Sequence, residues 1–359
     1  MKEKEDSSVL KKKRLRKIIL FLIFVALNAT VITMTAMSEF GNSENAAELS
    51  EVKFNWWLLV PATLCFVFAL YVDVWKYRLM IRSMAKPGVF TKKNEDWKLA
   101  RRTVILGRYY DNITPAAVGG QPFQIYNMRK SEKLTTGAAT AVSMFGMISL
   151  QIAFIVIALV CFLFGGLARD NAALLTLAWL GLIFYAFWPV MVGIATFFPK
   201  LTTKIITFIV KVLAKLKIVK DRDDTVRRAE KAVREYAQSI KMILKERGLF
   251  AKTIIMSLVF NVLVAMIPWF VLTAFGGDVN FFSSIALTIA VMAAVYFVPT
   301  PGNSGAAEGT FYVVFSALST GYVFWAMLVW RFFSYYIYII MGLIVYLITQ
   351  LEKRKGRHA

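Results

Sequence analysis

Long apolar runs alternate with short polar stretches along this chain. Runs over about 18–37, 55–79, 138–164, 173–198, 253–275, 281–298 and 322–348 are mostly of a length that crosses a hydrocarbon layer as α-helix. A shorter helix-forming stretch, 305–319, lies between the last two. A soluble fold with a very large core would need polar spacers to cover its surface, and these runs lack them. The pattern predicts an all-α integral membrane protein of about eight transmembrane helices, one of them short or broken. The opening KKKRLRK resembles the basic region of a signal peptide. The apolar run behind it is too long for that and has no small-residue cleavage site, so it reads as an uncleaved first helix.

Two segments break the pattern. ARRTVILGRYYDNITPAAVGGQPFQIYNMRK is too polar for a lipid-facing span and lies between basic clusters, which predicts a re-entrant hairpin with its break near 103–128. VPTPGNSGAAEGTFYVVFSAL, near 298–319, interrupts an otherwise oily region. The two resemble each other. Thr114-Pro115 is followed by Gly119, Gly120 and Gln121; Thr300-Pro301 is followed by Gly302, Gly305 and Glu308. Paired interruptions of this kind suggest two pseudo-repeated halves with a site between them. The expected division is an N-terminal membrane half over 1–199, a basic linker over 200–252, a C-terminal membrane half over 253–350 and a basic tail over 351–359.

Charge supplies an orientation. The 359-residue chain is 58% hydrophobic and carries a formal net charge of +21, with mean hydropathy +0.58. Its basic residues gather between apolar runs, where they mark cytoplasmic loops and contacts with anionic lipid rather than a nucleic-acid surface. The N-terminal tail, 80–102, 200–252 and the C-terminal tail are then cytoplasmic, and the connections near 38–54, 165–172 and 276–280 are outside, as expected for a multi-pass protein of the cytoplasmic membrane. Between Lys211 and Arg247 there are twelve Lys or Arg and six Asp or Glu. Val233, Ala237, Ile240 and Leu244 recur there at helical spacing, which reads as an amphipathic helix beside the headgroups or a solvated helical linker.

Candidate chemistry is sparse. Cys65 and Cys161 sit inside apolar runs and read as small hydrophobes. His358 is the only histidine and lies in the tail, so histidine-based catalysis is excluded; no metal site and no cofactor is expected. Proline and glycine together can stop a helix and leave its amides facing a cavity, and helix N-termini attract phosphate. Arg331 lies deep in the last apolar run, where a cation needs a partner or a polar cavity, and Glu308 is the expected partner. A structural Arg331–Glu308 pair and a pair that also meets a lipid phosphate are both open on the sequence. Arg108, beside Tyr109 and Tyr110, is a second candidate cation.

At these residues the chain resembles the flippase-like integral membrane family that includes the transmembrane domain of lysylphosphatidylglycerol synthases. Asn112, Thr114, Pro115, Gly119, Gly120 and Gln121 match the family's first motif. Pro299, Thr300, Pro301, Gly302, Gly305, Glu308 and Gly309 match the second, and Arg331 the arginine of the final helix. Ala116 stands where a glycine is usual, and Gln121 where an acid is common, which weakens any mechanism needing a carboxylate in the first half, proton coupling there included. The resemblance implies lipid translocation or lipid handling at the cytoplasmic membrane. The soluble aminoacyl-transferase domain of bifunctional relatives is not expected in the nine residues after Gln350.

The leading expectation is a flippase or scramblase for an anionic phospholipid or lipid-phosphate. Its candidate binding set is Arg331, Arg108, Asn112, Thr114, Gly119, Gly120, Gln121, Thr300, Gly302, Gly305 and Glu308. An integral membrane transferase is the alternative, with Glu308 as its base and Asp111 as a more distant choice. A lipid-binding scaffold is the third class. The bilayer is the expected partner, a homodimer is compatible with the many small residues, and nucleic acid is not expected.

Overall fold

A computed structural model describes residues 54–85, 87–91, 93–117, 119–164, 172–215, 222–296, 298–317 and 323–355, together with Thr30, Thr33 and Met37. The first expected span, the connections at 38–53 and 165–171 and the end of the tail lie outside the described residues, isolated positions apart.

The described elements are helical, with no strand among them. Helix α1 spans Leu59–Met84, α2 Glu95–Ile113, α3 Gly120–Lys130, α4 Thr136–Phe164, α5 Ala172–Phe197 and α6 Pro199–Lys215. There follow α7 over Arg222–Lys245, α8 over Arg247–Ala274, α9 over Phe281–Val295, α10 over Ala306–Ser316 and α11 over Val323–Arg331. A π-helical turn, Phe332–Tyr336, joins α11 to α12, Ile337–Lys355. Local sequence sets several boundaries. Asn280 caps α9 by accepting from the amides of Phe282 and Ser283. Gly88, at φ +74°, turns the chain after α1.

Five described spans are long and apolar enough to cross a membrane: Trp56–Met84, Thr136–Phe164, Ala172–Phe197, Arg247–Ala274 and Val323–Thr349. Only 18% to 39% of each span's most apolar window is buried within the protein, so most of that surface requires lipid as its solvent. Phe68, Phe164, Phe184 and Phe187 are among the large side chains left facing outward.

The expected count of eight is not reached by described helices of spanning length. α10, with 11 residues, rises about 16 Å, roughly half of a hydrocarbon layer. α9 is also short, at 15 residues. The sequence could not separate a short crossing from a hairpin because 281–298 and 305–319 are both predominantly apolar and helix-forming, and where each helix starts and stops is set by the intervening turn.

Contacts along α2 reveal the arrangement. Arg102 donates to Thr349 Oγ1 at 2.8 Å. Farther along α2, the ring of Tyr109 packs where a Cβ on Gly342 would lie. Farther still, the Oδ1 of Asn112 comes within 3.4 Å of where a Cβ on Gly302 would lie, and Tyr335 packs against that same glycine. The contact partners descend from 349 to 342 as α2 ascends from 102 to 109. The last span therefore runs antiparallel to α2, and α11 starts at the end of the bundle opposite Glu95.

This makes 281–316 a hairpin entering from one end and α2–α3 a hairpin entering from the other. The base of α2–α3 is closed by Lys133, which pairs with Glu95 at 3.1 Å and donates to the carbonyl of Val89 at 2.7 Å. At the opposite end, the amide of Asn55 donates to the carbonyl of Ala274 at 2.9 Å. Two apolar clusters hold the frame. One centres on Phe154, Ala290, Phe311, Phe315, Met327 and Trp330. The other, toward the base of α2–α3, centres on Met80, Ile81, Val142, Phe145 and Ile243.

The basic 200–252 region divides in two. In α7 the stripe expected along the helix is turned inward: Ala237 and Ile240 are buried and Leu244 is partly buried, Ile240 and Leu244 packing with the unanticipated Ile243 in the cluster containing Val142 and Phe145. That face is covered by the bundle rather than by lipid or water. The side chain of Val233 lies outside the described residues. α6 behaves differently, with most of its large apolar residues exposed.

Candidate functional site

The second break is built around a carboxylate. Gly302 and Asn303 adopt left-handed backbone, φ +59° and +54°, and Gly305 reaches φ +88°. These turns end one helix and start α10. Glu308, in the first turn of α10, folds back so that its Oε2 accepts from the Gly305 amide at 2.7 Å. Its other oxygen, Oε1, accepts from Arg331 Nε at 2.7 Å. Arg331 Nη2 donates to Ser304 Oγ at 2.9 Å and to the Gly302 carbonyl at 3.2 Å. The guanidinium also lies 4.7 Å from the Tyr335 ring centroid, within the π-helical turn. Thr300 Oγ1 closes the loop onto the Ser304 carbonyl at 2.9 Å. The Arg331 and Glu308 side chains are 5% and 3% exposed. Arg331 is thus a clamp: it binds a helix start and two loop oxygens from within the protein.

The first break uses a similar device from the opposite side of the turn. Gly120 opens α3, and its amide donates to Asp111 Oδ1 at 2.8 Å. Thr114 Oγ1 accepts from the Gly119 amide at 2.9 Å while donating to the Tyr110 carbonyl at 2.7 Å. A Cβ at Gly120 would overlap the Asp111 carboxylate, so only glycine lets that cap approach. The expected counterpart of Glu308 was Gln121. Instead Gln121 Nε2 reaches Met147 Sδ at 3.2 Å, and Asp111 supplies the carboxylate. The first half therefore has the acid that the motif alignment seemed to lack, nine residues before the amide it caps.

Arg108 sits on α2 one turn before Asn112, the residue that comes close to Gly302. Its Nη2 pairs with Asp73 Oδ2 at 3.0 Å, and its guanidinium lies 4.8 Å from the Phe260 ring centroid. Its side chain remains 29% exposed, against 5% for Arg331. The two 3-10 turns, Pro115–Ala117 and Pro301–Asn303, also pack against each other. The structure thus brings Arg108, Asn112 and Gly302 to one junction, with Arg331 behind it.

A buried ionic group under Arg108 carried no role in the sequence reading. Asp73 and Lys76, 2% and 1% exposed, pair at 2.8 Å on α1. Lys76 Nζ also donates to the Gly146 carbonyl and Ser257 Oγ, each at 3.4 Å, and Ser257 Oγ donates to Ser149 Oγ at 3.1 Å. This network ties α1, α2, α4 and α8 around one carboxylate. The signal was available: an Asp and a Lys three residues apart inside an apolar run. Alongside it, Gln124 Oε1 accepts from Ser143 Oγ at 2.7 Å and Tyr77 Oη at 3.2 Å, fastening α3 to α4 and α1.

The base of the first hairpin has its own anchor. Arg78 Nε donates to Asp96 Oδ2 at 2.7 Å, and Asp96 Oδ1 accepts from the Trp97 amide at 2.9 Å. Burial pushes the Asp96 carboxyl up, but these hydrogen bonds and the charges of Arg78 and Arg82 outweigh it and hold it below the usual value. Among the described residues, no group of His, Cys, Asp and Glu could hold a metal ion.

The family model described as "Lysylphosphatidylglycerol synthase TM region" matches residues 17–342. No curated protein and no solved structure matches the chain.

Proposed function

The chain belongs to the lysylphosphatidylglycerol synthase TM-region family, a multi-pass membrane family with a lipid-related role, and from that premise we propose that it moves an anionic phospholipid or lipid-phosphate between leaflets. The observation that carries this reading is Arg108. It is a cation deep in the membrane bundle, held on one side by Asp73 and 29% open on the other, beside the meeting point of two hairpin breaks. A lipid phosphate needs such a partner where water is absent, since an unpaired charge in the hydrocarbon layer is costly. Asn112 places its side-chain amide one helical turn farther along the same helix, and the acyl chains stay in the bilayer. Asp73 keeps the guanidinium in place, and Lys76 keeps Asp73 paired when Arg108 turns to the phosphate.

The basic ends favour an orientation. The base of α2–α3 and the whole of α7 lie at the lysine- and arginine-rich end of the bundle, which the positive-inside tendency assigns to the cytoplasm of a cytoplasmic-membrane protein. Trp56 and Trp57 then mark the opposite interface. The two membrane halves, 1–199 and 253–350, each contribute one hairpin from one side, an inverted arrangement of the kind that places binding sites at the midplane.

A transferase would need a free general base. Glu308 has one oxygen on Arg331 and the other on the Gly305 amide, which weighs against that role. The deciding experiment places purified protein in liposomes with a labelled anionic phospholipid. Movement between leaflets is followed alongside the mass of the recovered lipid. Leaflet exchange at unchanged mass, lost in Arg108→Ala, supports the proposal. A product of altered mass that requires an added donor would replace it with a transferase, and binding without movement or chemistry would point to a scaffold.

A further inference from the structure

The geometry points to α6 as an in-plane membrane helix, its apolar face in the acyl chains and its lysines at anionic headgroups, in the leaflet at the α7 end of the bundle. This surface shares no residue with the junction at Arg108 and stands independently of the function proposed there.

The helix has three sectors, each visible in exposure. Leu201, Ile205, Phe208, Ile209 and Val212 form one stripe, between 41% and 66% exposed. With 100° per residue they occupy about a quarter to a third of the circumference. Lys200, Lys204 and Lys211 are exposed and fall together on the adjoining arc. The remaining side contains the buried Val210 and packs against α5 and α7. No acidic residue occurs anywhere in 199–215. A soluble amphipathic helix would bury the apolar stripe and expose the lysines; here protein covers a third sector and both others are open.

Two observations name the occupant. First, the stripe continues directly from a span: Val190, Phe197 and Phe198, 57% to 62% exposed, lead from the end of α5 into α6. The exposed apolar surface of α5 therefore resumes at the turn and leads into that of α6. Second, uncompensated lysines beside an apolar stripe match the boundary of an anionic leaflet, where long basic side chains reach the headgroups while aromatic and aliphatic groups stay below. The neighbouring α7 differs: its apolar stripe is covered by the bundle and its charges are mixed. A second copy of the chain could cover apolar surface too, but it would have to place these lysines against an acidic partner.

The test uses the full-length protein in nanodiscs, with Cys65 and Cys161 replaced by alanine and a single environment-sensitive label introduced by Phe208→Cys. The label is expected to be quenched severalfold more by a lipid-borne quencher near the headgroups than by aqueous iodide. In discs containing phosphatidylglycerol, K200Q/K204Q/K211Q should raise iodide quenching about twofold or more, while discs of phosphatidylcholine alone should show little change. Preferential iodide quenching in the parent protein would overturn the membrane placement. Efficient disulfide cross-linking at Phe208→Cys between two copies, with quenching by neither agent, would assign the face to a dimer instead. An identical response to the lysine changes in both lipid compositions would overturn the anionic-lipid part. Lipid movement measured in parallel keeps the two proposals apart, since Arg108→Ala is expected to leave the Phe208→Cys signal unchanged.

Discussion

Arg331 and Arg108 are both arginines deep in a membrane bundle, and each pairs with a carboxylate within 3.0 Å. The use of their remaining donors separates them. Arg331 gives Nη2 to Ser304 and Gly302 and is closed off, so its charge holds a loop to a helix. Arg108 has a ring on one face, Asp73 on one nitrogen and an open remainder. An intramembrane cation identified from sequence is a functional hypothesis by default; the proposed function attaches that hypothesis to Arg108, whose side chain is 29% exposed against 5% for Arg331. The difference predicts that changes around Arg331 act on stability and changes around Arg108 act on lipid movement.

The most severe test of that contrast is Glu308→Ala. It leaves Arg331 buried without its anion, and loss of one member of a buried pair costs about 3–5 kcal/mol. Thermal unfolding in detergent should show a large loss of folded protein, much of it recovered in a Glu308→Leu, Arg331→Met double variant. Normal stability with lost lipid movement would reverse the assignment of roles. Gly302→Ala should follow, at about 1–3 kcal/mol, because the alanine would hold φ +59° and press into the Tyr335 ring. The readout is again the unfolding midpoint.

On the other side of the comparison, Arg108→Ala should slow lipid exchange about tenfold or more, equivalent to roughly 1.4 kcal/mol in the barrier, while Asp73 keeps Lys76 and the fold survives. Parallel measurement of melting and leaflet exchange would expose equal losses, which would make Arg108 another clamp. The smallest effect is expected at the hairpin base. Asp96 is held below its usual value in the folded protein, so its contribution is present above the unfolded carboxylate value of about 3.9 and fades as pH falls through the lower folded value. Asp96→Asn should remove about 1 kcal/mol or less at neutral pH and flatten that acid dependence, without changing exchange rates.

Much of this arrangement was legible before any coordinates. The apolar runs define the membrane helices because nothing else explains their length, and Thr-Pro followed by glycines marks both breaks because few other residues stop a helix so firmly. Two features were not legible and a third left a signal that is easily passed over, each for a physical reason. Asp111 caps Gly120 from before the break, and a hairpin's closure, which local spacing does not encode, brings them together. Asp73 and Lys76 leave the mean hydropathy of their run high, so they merge into an ordinary span although their mutual charge satisfaction is what permits them there. The inward turn of α7 depends on which neighbour covers its stripe, and helical periodicity gives the stripe without the neighbour.

The separation of Glu308 and Arg331 by 23 residues, on two different elements, also constrains how the protein is made. A charged residue entering the bilayer on an isolated helix costs about 2.5–3.5 kcal/mol on insertion scales. α10, with only 11 residues, is too short to be retained as an independent span. The ribosome delivers Glu308 before Arg331, so the acidic segment must wait at the translocon or the interface until the final helix emerges. The C-terminal hairpin is therefore expected to settle together with the last span, and release of the nascent chain before Arg331 has been delivered would leave Glu308 in the bilayer without its cation.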